Sequence, residues 1–567
     1  MISRIKIENY RSIESLEFSP TQLCSLIGPN NAGKSNILNA LDIMLGETYP
    51  TDRAFTRNDF YNRETDRTIC IEVEFSIPLK NTHLTNINRG KGYCQTKILR
   101  LTHTQKQDEY FKHKFLALDD NETYYANDDV RKQVQFVYIP ADRNLEKQLT
   151  ISQWTMLGKI LKKIDDEFRN GPKGEDGLSD NERLLRERME EVLGVLKIPQ
   201  FDEFENSLKS CIKEQTQDFF KDFSLSLDVY DPLYYYKTIQ LIAREFEKEF
   251  NVTELGSGLQ NLILLSIFRT YAKIMKSRSV IAIEEPEIYL HPHAQRNLYQ
   301  VLRRLCESTI DENTGEVTDE GSQIFYATHS PLFVSLQNSE EIFLVKRSAD
   351  GKTIVLPKNI QIEPDEKDEL KLLTQFNQER NELLFARKVM IVEGQTEKNA
   401  FPFAFKKKID PDTKSISIIE VGGKGNIPFF IKVLTSLGIQ WCAVFDTDSD
   451  KILTNDEEQA LQQKFSRLND NSPEARGIYK MLTGHRDTLM KNENVYRAAI
   501  DYKDRLFPLD PNFEIVCGLP AQKKEEWKKI KQAIERFSSY QDFNDIPIPI
   551  KSAIEFLLKC PDSDWVD

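Results

Sequence analysis

The sequence predicts an α/β protein of two successive domains, a phosphate-binding domain over residues 1–385 and a Rossmann-like α/β domain over residues 386–567. Three observations predict this fold. A glycine-rich loop joins an apolar strand to a helical pattern within residues 23–45. A later apolar strand, residues 279–283, is followed by paired glutamates. Near the C-terminus, the apolar runs 389–392 and 441–445 also end in acidic residues, and ligands bind at the carboxyl ends of parallel strands.

Composition bounds the class of protein. A chain of 567 residues is too long for one core, and 40% hydrophobic with 29% charged residues is ordinary for a globular protein. No apolar run reaches the roughly 18 residues that span a bilayer, so no membrane association is expected. The eight scattered cysteines form no CxxC pair and indicate a reducing, cytoplasmic setting. The net charge of −13 argues against coating of nucleic acid by charge alone.

The glycine-rich loop has the spacing of a Walker A motif, Gly28-x-x-x-x-Gly33-Lys34-Ser35. Its glycines let backbone amides curl around phosphate oxygens, and the following helix adds a favourable dipole. Lys34 is predicted to reach the β- and γ-phosphates of ATP, and Ser35 to ligate Mg²⁺. The intervening Asn30 and Asn31 complete the predicted nucleotide loop.

Three later segments fit the rest of an ATPase. Glu284 ends the 279–284 strand and is predicted to hold the magnesium shell, and Glu285 to polarise the attacking water. His329 follows another apolar strand and suits a γ-phosphate sensor, because neutral imidazole donates one hydrogen bond. Ser257 and Gly258 lie in a glycine-serine turn before a helical stretch, which is an anion site. Singly, each has a plainer interpretation: a surface turn, a strand-end histidine and an ordinary helix cap.

Taken together and in this order, the segments resemble the ABC-type ATPases of the RecF, SMC and OLD group. Within that group, the segments at residues 283–292 and 327–331 look most like those of OLD proteins. Two departures, Glu284 for aspartate and Leu-Gly-Ser-Gly-Leu-Gln for LSGGQ, leave the hydrolysis rate open. The resemblance implies head-to-head pairing, with Ser257 and Gly258 contacting ATP in trans, and hence a homo-oligomer, a dimer or tetramer.

The second half carries a different acidic pattern. The 389–392 strand delivers Glu393, with Glu397 one turn later, and the 441–445 strand delivers Asp446 and Asp448. Hard Mg²⁺ ions prefer carboxylate oxygens, and two such ions can stabilise both reacting oxygens of a phosphodiester. An Asp-x-Asp sequence alone is more often a solvated loop. Both patterns on successive strands favour a metal site.

This half resembles the Toprim domain of topoisomerases, primases and OLD nucleases. The resemblance implies Glu393, Glu397, Asp446 and Asp448 as ligands of Mg²⁺, with Mn²⁺ as an alternative. The resemblance also implies a further acidic ligand, Glu514, with Asp510 as the second candidate. It implies a lysine near the C-terminus that neutralises charge in the transition state, and Lys551 is the candidate. An ordinary helix-start lysine is an equal interpretation of Lys551. The reaction implied is ATP-regulated hydrolysis of DNA.

The strand-rich runs 69–75, 97–102 and 135–139 are consistent with the antiparallel layer of an ABC head. Residues 145–222 indicate an inserted helical region, to which the resemblance assigns dimerisation, and the charged run 363–382 indicates a helical connector. Two rival functions remain: an ATP-dependent DNA clamp of the RecF or SMC kind without cutting, and a Toprim enzyme that rejoins or synthesises strands. Rejoining needs a tyrosine nucleophile, usually on a separate domain for which the chain has no room. The resemblance further implies a bacterial or phage-encoded antiviral protein, with a helicase-like subunit or a retron reverse transcriptase as partner.

Overall fold

The computed structural model describes most of the chain. The described residues are 1–46, 48–88, 90–105, 113–119, 122–141, 155–174, 177–196, 199, 203, 206, 241–245, 248–275, 279–310, 317–319, 321–348, 350–356, 378–467, 472–520 and 525–560. They fall into two units, one formed by 1–141, 278–287 and 292–567 and the other by 142–277 with 288–291. Residues 363–377 of the predicted connector 363–382, and most of the insertion beyond residue 196, lie outside the described residues.

The N-terminal part of the larger unit is mostly strands. Its elements are β1 (Ile2–Tyr10), β2 (Ile13–Phe18), β3 (Leu23–Ile27), α1 (Lys34–Leu45), β4 (Ile69–Phe75), β5 (Thr82–Asn86), β6 (Gly90–Cys94), β7 (Ile98–His103), β8 (His113–Asp119), β9 (Glu122–Tyr125), α2 (Asp128–Arg131) and β10 (Gln135–Ile139). Eight of these strands form one sheet in the order β2-β1-β4-β7-β8-β9-β5-β6. Adjacent pairs run antiparallel. Strand β1 buries Ile5 and Ile7, and β4 buries Ile71 and Val73, on the face that covers the core.

The smaller unit contains the helical insertion. Its described elements are α3 (Met156–Phe168), α4 (Asp180–Leu196), β11 (Ile242–Glu245), β12 (Lys248–Asn251) and α5 (Ser257–Met275). Two helices therefore fall in the predicted insertion, and α5 confirms the helix predicted after the glycine-serine turn. This unit extends to residue 277, well past the predicted end of the insertion at residue 222.

A second sheet of the larger unit positions the glycine-rich loop. The later elements are β13 (Ser279–Glu284), α6 (Pro292–Cys306), β14 (Thr309–Ile310), β15 (Val317–Asp319), β16 (Gln323–Ala327), β17 (Ile342–Arg347) and β18 (Thr353–Leu356). The sheet order is β10-β13-β16-β3-β17-β18, parallel except for the last pair. Strands β3, β13 and β16 are buried at every position, which is typical of parallel strands covered on both faces.

One strand was assigned to the wrong sheet. The sequence predicts that Gln135–Ile139 belongs to the antiparallel layer, but β10 pairs parallel with β13. The reason is burial: Phe136, Val137 and Ile139 are buried, so side chains on both faces of the strand are covered. An antiparallel edge strand with one wet face would alternate instead.

The C-terminal part forms a smaller parallel sheet. Its elements are β19 (Lys388–Val392), α7 (Gln395–Lys406), β20 (Ile416–Glu420), α8 (Ile427–Ser436), β21 (Gln440–Asp446), α9 (Asn455–Phe465), α10 (Pro473–Ala498), β22 (Leu506–Leu509), α11 (Phe513–Val516), α12 (Glu526–Ser539) and α13 (Ile548–Lys559). The order β20-β19-β21-β22, parallel throughout, confirms the predicted Rossmann-like arrangement. It brings the carboxyl ends of β19 and β21 side by side.

The two sheets of parallel strands share a hydrophobic core. Ile27, Ile342 and Leu344 of the N-terminal part pack in one cluster with Val389 and other residues of the C-terminal sheet. Full burial of one such side chain contributes roughly 1.5–3 kcal/mol. The predicted boundary near residue 385 therefore separates two sheets and not two independent cores.

Among the described residues, no helix combines the length and apolarity required to cross a membrane.

Candidate nucleotide and metal sites

The glycine-rich loop is shaped by strands β17 and β18. Gly28 has φ +140°, and a Cβ there would lie 2.0 Å from the carbonyl oxygen of Val345. Gly33 has φ +110°, and a Cβ there would lie 2.2 Å from Thr353 Oγ1. Neither backbone conformation nor space admits a side chain. Glycine is therefore required at both positions of the loop, as in loops whose backbone amides turn toward a phosphate.

Lys34 lies inside this loop. It is buried, and its Nζ donates to the carbonyl oxygens of Gly28 at 2.8 Å and Pro29 at 2.9 Å. Burial lowers its pKa to about 8, against the opposing charges of Glu285 and nearby glutamates. A bound phosphate would supply the negative charge that favours the ammonium. The predicted loop residues Asn30, Asn31 and Ser35 are exposed beside it, so they are accessible to a nucleotide.

The paired glutamates lie directly beyond β13. Glu284 is buried, and its Oε2 accepts from the backbone N–H of Ala141 at 3.1 Å. Glu285 has φ +43°, a conformation that costs about 1–3 kcal/mol for a residue other than glycine. Its N–H donates to Ala327 at the end of β16, at 2.7 Å. The structure thus holds Glu285 in a strained turn at the edge where Lys34 lies.

His329 has the properties expected of a neutral sensor. Burial, followed by the positive charge of Lys34, lowers its pKa, so the imidazole is uncharged at neutral pH. Lys34 and His329 are close enough to interact electrostatically, as the predicted roles require.

Glu287 is a site residue that the sequence interpretation missed. Its Oε1 accepts from Thr328 Oγ1 at 2.8 Å and from the N–H of His329 at 2.7 Å. Burial raises its pKa in spite of these hydrogen bonds, and its Oε2 is buried with no hydrogen-bond partner among the described residues. The signal was present, since Glu287 is the third acid of Glu284-Glu285-Pro286-Glu287.

The glycine-serine turn is described within the smaller unit. Helix α5 begins at Ser257, which is exposed. A Cβ on Gly258 would lie 2.6 Å from the carbonyl oxygen of Tyr289, which is why glycine is needed there. Gln260 is buried and donates to the carbonyl of Thr253 at 2.8 Å. The turn therefore presents Ser257 to solvent on a braced helix start.

In the C-terminal sheet, Glu393 and Asp446 are brought together by the pairing of β19 with β21. Glu393 Oε1 accepts from the backbone N–H of Asp446 at 2.7 Å, and Asp446 Oδ1 accepts from the N–H of Phe513 at 2.8 Å. Burial and then the charges of Glu393, Glu397, Asp448 and Glu514 raise the pKa of Asp446 to about 8. Five predicted ligands therefore share one electrostatic neighbourhood.

Two further carboxylates of this neighbourhood come from different segments. Glu397 lies in the first turn of α7, where its Oε2 accepts from the N–H of Gly394 at 3.1 Å. Burial, with the charges of Glu393 and Glu514, raises its pKa to about 7. Glu514 lies in α11 and pairs with Lys529 at 3.1 Å. Burial also raises the pKa of Glu393.

Asp448 lies in a different environment because two lysines contact it. Lys424 Nζ lies 2.9 Å from Asp448 Oδ2, and Lys451 Nζ lies 2.6 Å from Oδ1. Burial raises the pKa of Asp448, but these lysines outweigh it and the net pKa is lowered. Lys424 is itself buried and also donates to the carbonyl of Asp446 at 2.6 Å. Lys424 belongs to the glycine-rich turn after β20, and sequence reasoning gave it no role.

The remaining candidates lie farther out. Asp510 accepts from Thr447 Oγ1 at 2.5 Å, and this bond and one from Ser449 lower its pKa. Lys551, in the first turn of α13, donates to Asn544 Oδ1 at 2.6 Å, and its ammonium lies 5.9 Å from the Phe543 ring. Its assignment as the transition-state lysine stays a prediction.

The donor set fits divalent cations. Buried carboxylates whose pKa values are raised by one another are costly to group unless cations hold them, and oxygen ligands suit Mg²⁺ and Mn²⁺. The residues that supply these oxygens are Glu393, Glu397, Asp446, Asp448 and Glu514. Their carboxylate oxygens are the ligand type through which metal ions can act on a phosphodiester.

One short segment contacts both halves of the larger unit. Within the 3-10 helix Gln378–Leu384, Asn381 Nδ2 donates to the carbonyls of Pro331 at 3.2 Å and Val334 at 2.9 Å. Its neighbour Arg380 forms a buried ion pair with Glu420 at 2.9 Å. The segment therefore joins the loop after His329 to the carboxyl end of β20.

Comparison with known proteins gives matches over both halves. Residues 1–334 match a family model described as an AAA ATPase domain, and residues 384–448 match one described as the TOPRIM domain of proteins like the overcoming lysogenization defect protein. The OLD nuclease of Thermus scotoductus is 27% identical over 94% of this chain and 95% of its own. The Old nuclease of Escherichia phage P2 is 26% identical over 79% and 77%. Endonuclease GajA of Bacillus cereus is 22% identical over 94% and 86%.

Proposed function

We propose that this chain, which belongs to the AAA ATPase domain family through residues 1–334 and matches an OLD-like TOPRIM domain over residues 384–448, is an ATP-regulated, divalent-metal-dependent DNA endonuclease. One observation carries the proposal: the burial of mutually repelling carboxylates around Asp446, whose pKa is raised to about 8. Grouping such carboxylates in a purely structural role costs folding free energy, whereas bound cations would offset their mutual repulsion. The nuclease names of its relatives agree with it.

At the proposed cutting site, five carboxylates share one task. Glu393, Glu397, Asp446, Asp448 and Glu514 are proposed to hold Mg²⁺, with Mn²⁺ as an alternative. When bound, the ions supply Lewis-acid stabilisation of the attacking and leaving oxygens of the phosphodiester. The Phe513 N–H fixes the rotamer of Asp446, and the Asp446 N–H fixes Glu393.

Two lysines complete this proposal. Lys424 is a positioning residue, because it bridges the carboxylate of Asp448 and the carbonyl of Asp446. Lys551 is proposed to neutralise charge that develops on the DNA in the transition state. Its present partner Asn544 is a neutral amide oxygen, so a DNA phosphate would be the stronger acceptor.

At the nucleotide site, Lys34 and the loop residues Gly28, Asn30, Asn31 and Gly33 are proposed to bind ATP. Ser35 and Glu284 hold its magnesium, Glu285 polarises the hydrolytic water, and His329 senses the γ-phosphate. Ser257 and Gly258 are proposed to contact ATP on a second copy, which requires a homo-oligomer, a dimer or a tetramer. These roles rest on the buried lysine, the strained Glu285 and the neutral imidazole described above.

The 3-10 helix Gln378–Leu384 is proposed to carry the regulation. A shift of the loop after His329 acts on Asn381, because Asn381 holds two carbonyls of that loop. The neighbouring Arg380–Glu420 ion pair then transmits this shift to the carboxyl end of β20. There the Gln395 side chain also donates a hydrogen bond to Glu420, at 3.1 Å. Asn381→Ala should therefore weaken the response of cleavage to ATP while basal cleavage persists.

The setting proposed is antiviral defence in the cytoplasm of a bacterium. This rests on the resemblance to OLD nucleases. A helicase-like subunit or a retron reverse transcriptase is the corresponding partner. Co-purification of the chain with its native neighbours would test this setting.

The experiment that tests the proposed function is plasmid cleavage by the purified protein. Mg²⁺ or Mn²⁺ should be required, chelation should stop cutting reversibly, and added ATP should change the rate. Asp446→Ala should abolish cleavage and keep ATP hydrolysis. The control Asp450→Ala, which changes an exposed neighbour, should keep both activities. Equal cleavage by the parent and Asp446→Ala would reject the nuclease assignment and favour an ATP-dependent DNA clamp.

A further inference from the structure

A second group of metal-binding side chains lies on the antiparallel sheet, outside both sites described above. His103 ends β7 and His113 begins β8, and the two residues face each other in the strand register. Asp52 approaches them from the 3-10 helix Asp52–Ala54. One ligand atom of each of the three lies within 4.8 Å of the others. Three residues distant in sequence thus converge on one point.

The spacing matches the size of a metal ion. Two ligands about 2.0–2.1 Å from a tetrahedral Zn²⁺ lie roughly 3.4 Å apart, and His103 Nδ1 lies 3.5 Å from Asp52 Oδ1. The ligand atoms of all three residues lie within 4.8 Å of one another, and rotation of Asp52 can adjust its distances to the two imidazoles. Its side chain is 60% exposed and therefore free to turn.

The ligand types select a different ion from that of the carboxylate site. Mg²⁺ takes oxygen ligands and keeps its waters, whereas imidazole suits Zn²⁺ and its transition-metal neighbours. Two imidazoles and one carboxylate form a three-ligand zinc set, and such sets keep a fourth position open for water.

Aromatic side chains hold the first imidazole in place. The His103 ring is buried and stacks on the Phe55 ring, with centroids 4.6 Å apart and planes 13° from parallel. The Phe60 ring lies 5.8 Å away. Packing of this kind fixes the ring orientation and lowers the local dielectric, which strengthens metal binding. Without an ion, the same walls bury an imidazole among apolar groups.

We propose that Asp52, His103 and His113 form a Zn²⁺ site that fastens the Asp52 segment to the β7–β8 strand pair. The site is separate from the nucleotide loop and from the carboxylates of the C-terminal sheet. It requires neither ATP nor DNA.

The test is Zn²⁺ binding to the full-length protein, stripped with chelator and kept in excess Mg²⁺ to fill the oxygen sites. The parent should bind one tight equivalent of Zn²⁺, and Co²⁺ in its place should give visible bands of tetrahedral coordination. Asp52→Asn and His113→Gln should each weaken Zn²⁺ binding by about tenfold or more and remove those bands. His83→Gln, an exposed histidine on β5 of the same sheet, should behave as the parent.

Asp52→Asn is the decisive variant, because its exposed side chain keeps its shape and should not disturb folding. Melting temperature with and without Zn²⁺ gives a second readout. Zn²⁺ should raise it in the parent and not in Asp52→Asn. The proposal is overturned if the parent binds no tight Zn²⁺, or if Asp52→Asn binds it as tightly as the parent does.

Discussion

Replacing Asp446 by asparagine should stabilise the metal-free protein, and increasingly so as pH rises. Folding raises the pKa of this carboxyl from 3.8 to about 8, first by burial and then by Glu393 and Glu397. Between these values the folded state binds the proton and the unfolded state does not, so stability falls as pH rises. The penalty is absent below pH 4 and complete above pH 8. An asparagine side chain carries no such charge, so the substitution removes the share of the pH dependence that Asp446 contributes.

The magnitude follows from the same shift. Each pKa unit corresponds to about 1.4 kcal/mol, so the displacement sets a ceiling of about 5–6 kcal/mol. The asparagine amide also loses hydration on burial, which offsets roughly half of this ceiling. At pH 9 the substitution should therefore raise the free energy of unfolding by about 3 kcal/mol. At pH 5 the gain should be under about 1 kcal/mol by the same relation.

The assay is thermal unfolding in chelator at pH 5 and pH 9. At pH 9, a gain of this size should raise the melting temperature of the C-terminal sheet by roughly 5–10 °C. Mg²⁺ should then stabilise the parent and have little effect on Asp446→Asn, because binding to the native state alone stabilises it. Asp450→Asn, an exposed neighbour, is the control. An equal gain at both pH values, or none at pH 9, would refute this reasoning.

Further predictions concern ATP and assembly. Because burial lowers the Lys34 pKa to about 8, ATP binding at pH 9 should take up a proton, which calorimetry in buffers of different ionisation enthalpy would detect. Lys34→Ala should lose this proton uptake and most of the affinity for ATP. Glu285→Gln should bind ATP without turning it over, and parental turnover would contradict its role. Lys424→Met should lower the cleavage rate at saturating Mg²⁺ by about tenfold or more, without raising the Mg²⁺ concentration for half-saturation. A higher Mg²⁺ concentration for half-saturation with no loss of rate would speak against a positioning role. Light scattering should give at least a dimer with ATP, and a monomer would contradict action of Ser257 in trans.

The local sequence pattern was enough to predict a part of a site when that part lies on a single strand and the turn after it. The glycine-rich loop, the Glu284-Glu285 pair and the strand ends at Glu393 and Asp446 are all of this kind. Each could be predicted because an apolar strand followed by polar residues has the same meaning wherever the strand falls in the sheet. The parallel C-terminal sheet then followed from strands that alternate with helices.

Contacts between distant segments were not predictable in this way. Lys424 reaches Asp448 across 24 residues and two different turns, and nothing in the glycine-rich turn itself indicates an acidic partner. Glu287 was overlooked since its role depends on the neighbouring strand end, where His329 donates to it. Strand β10 was misassigned because its partner β13 lies more than a hundred residues later. The cross-strand register alone brings His103 to His113.

The most direct test of the central claim uses two variants and two readouts. The claim is that ATP chemistry and DNA cleavage occupy separate sites in one chain. In the same Mg²⁺ buffer, Glu393→Gln should lose plasmid cleavage and keep ATP hydrolysis, because it removes a ligand beside Asp446. Glu285→Gln should lose hydrolysis while its cleavage site stays intact, so that metal-dependent cutting remains measurable. Parental cleavage by Glu393→Gln would contradict the account, since the carboxylates would then not hold the metal that cuts.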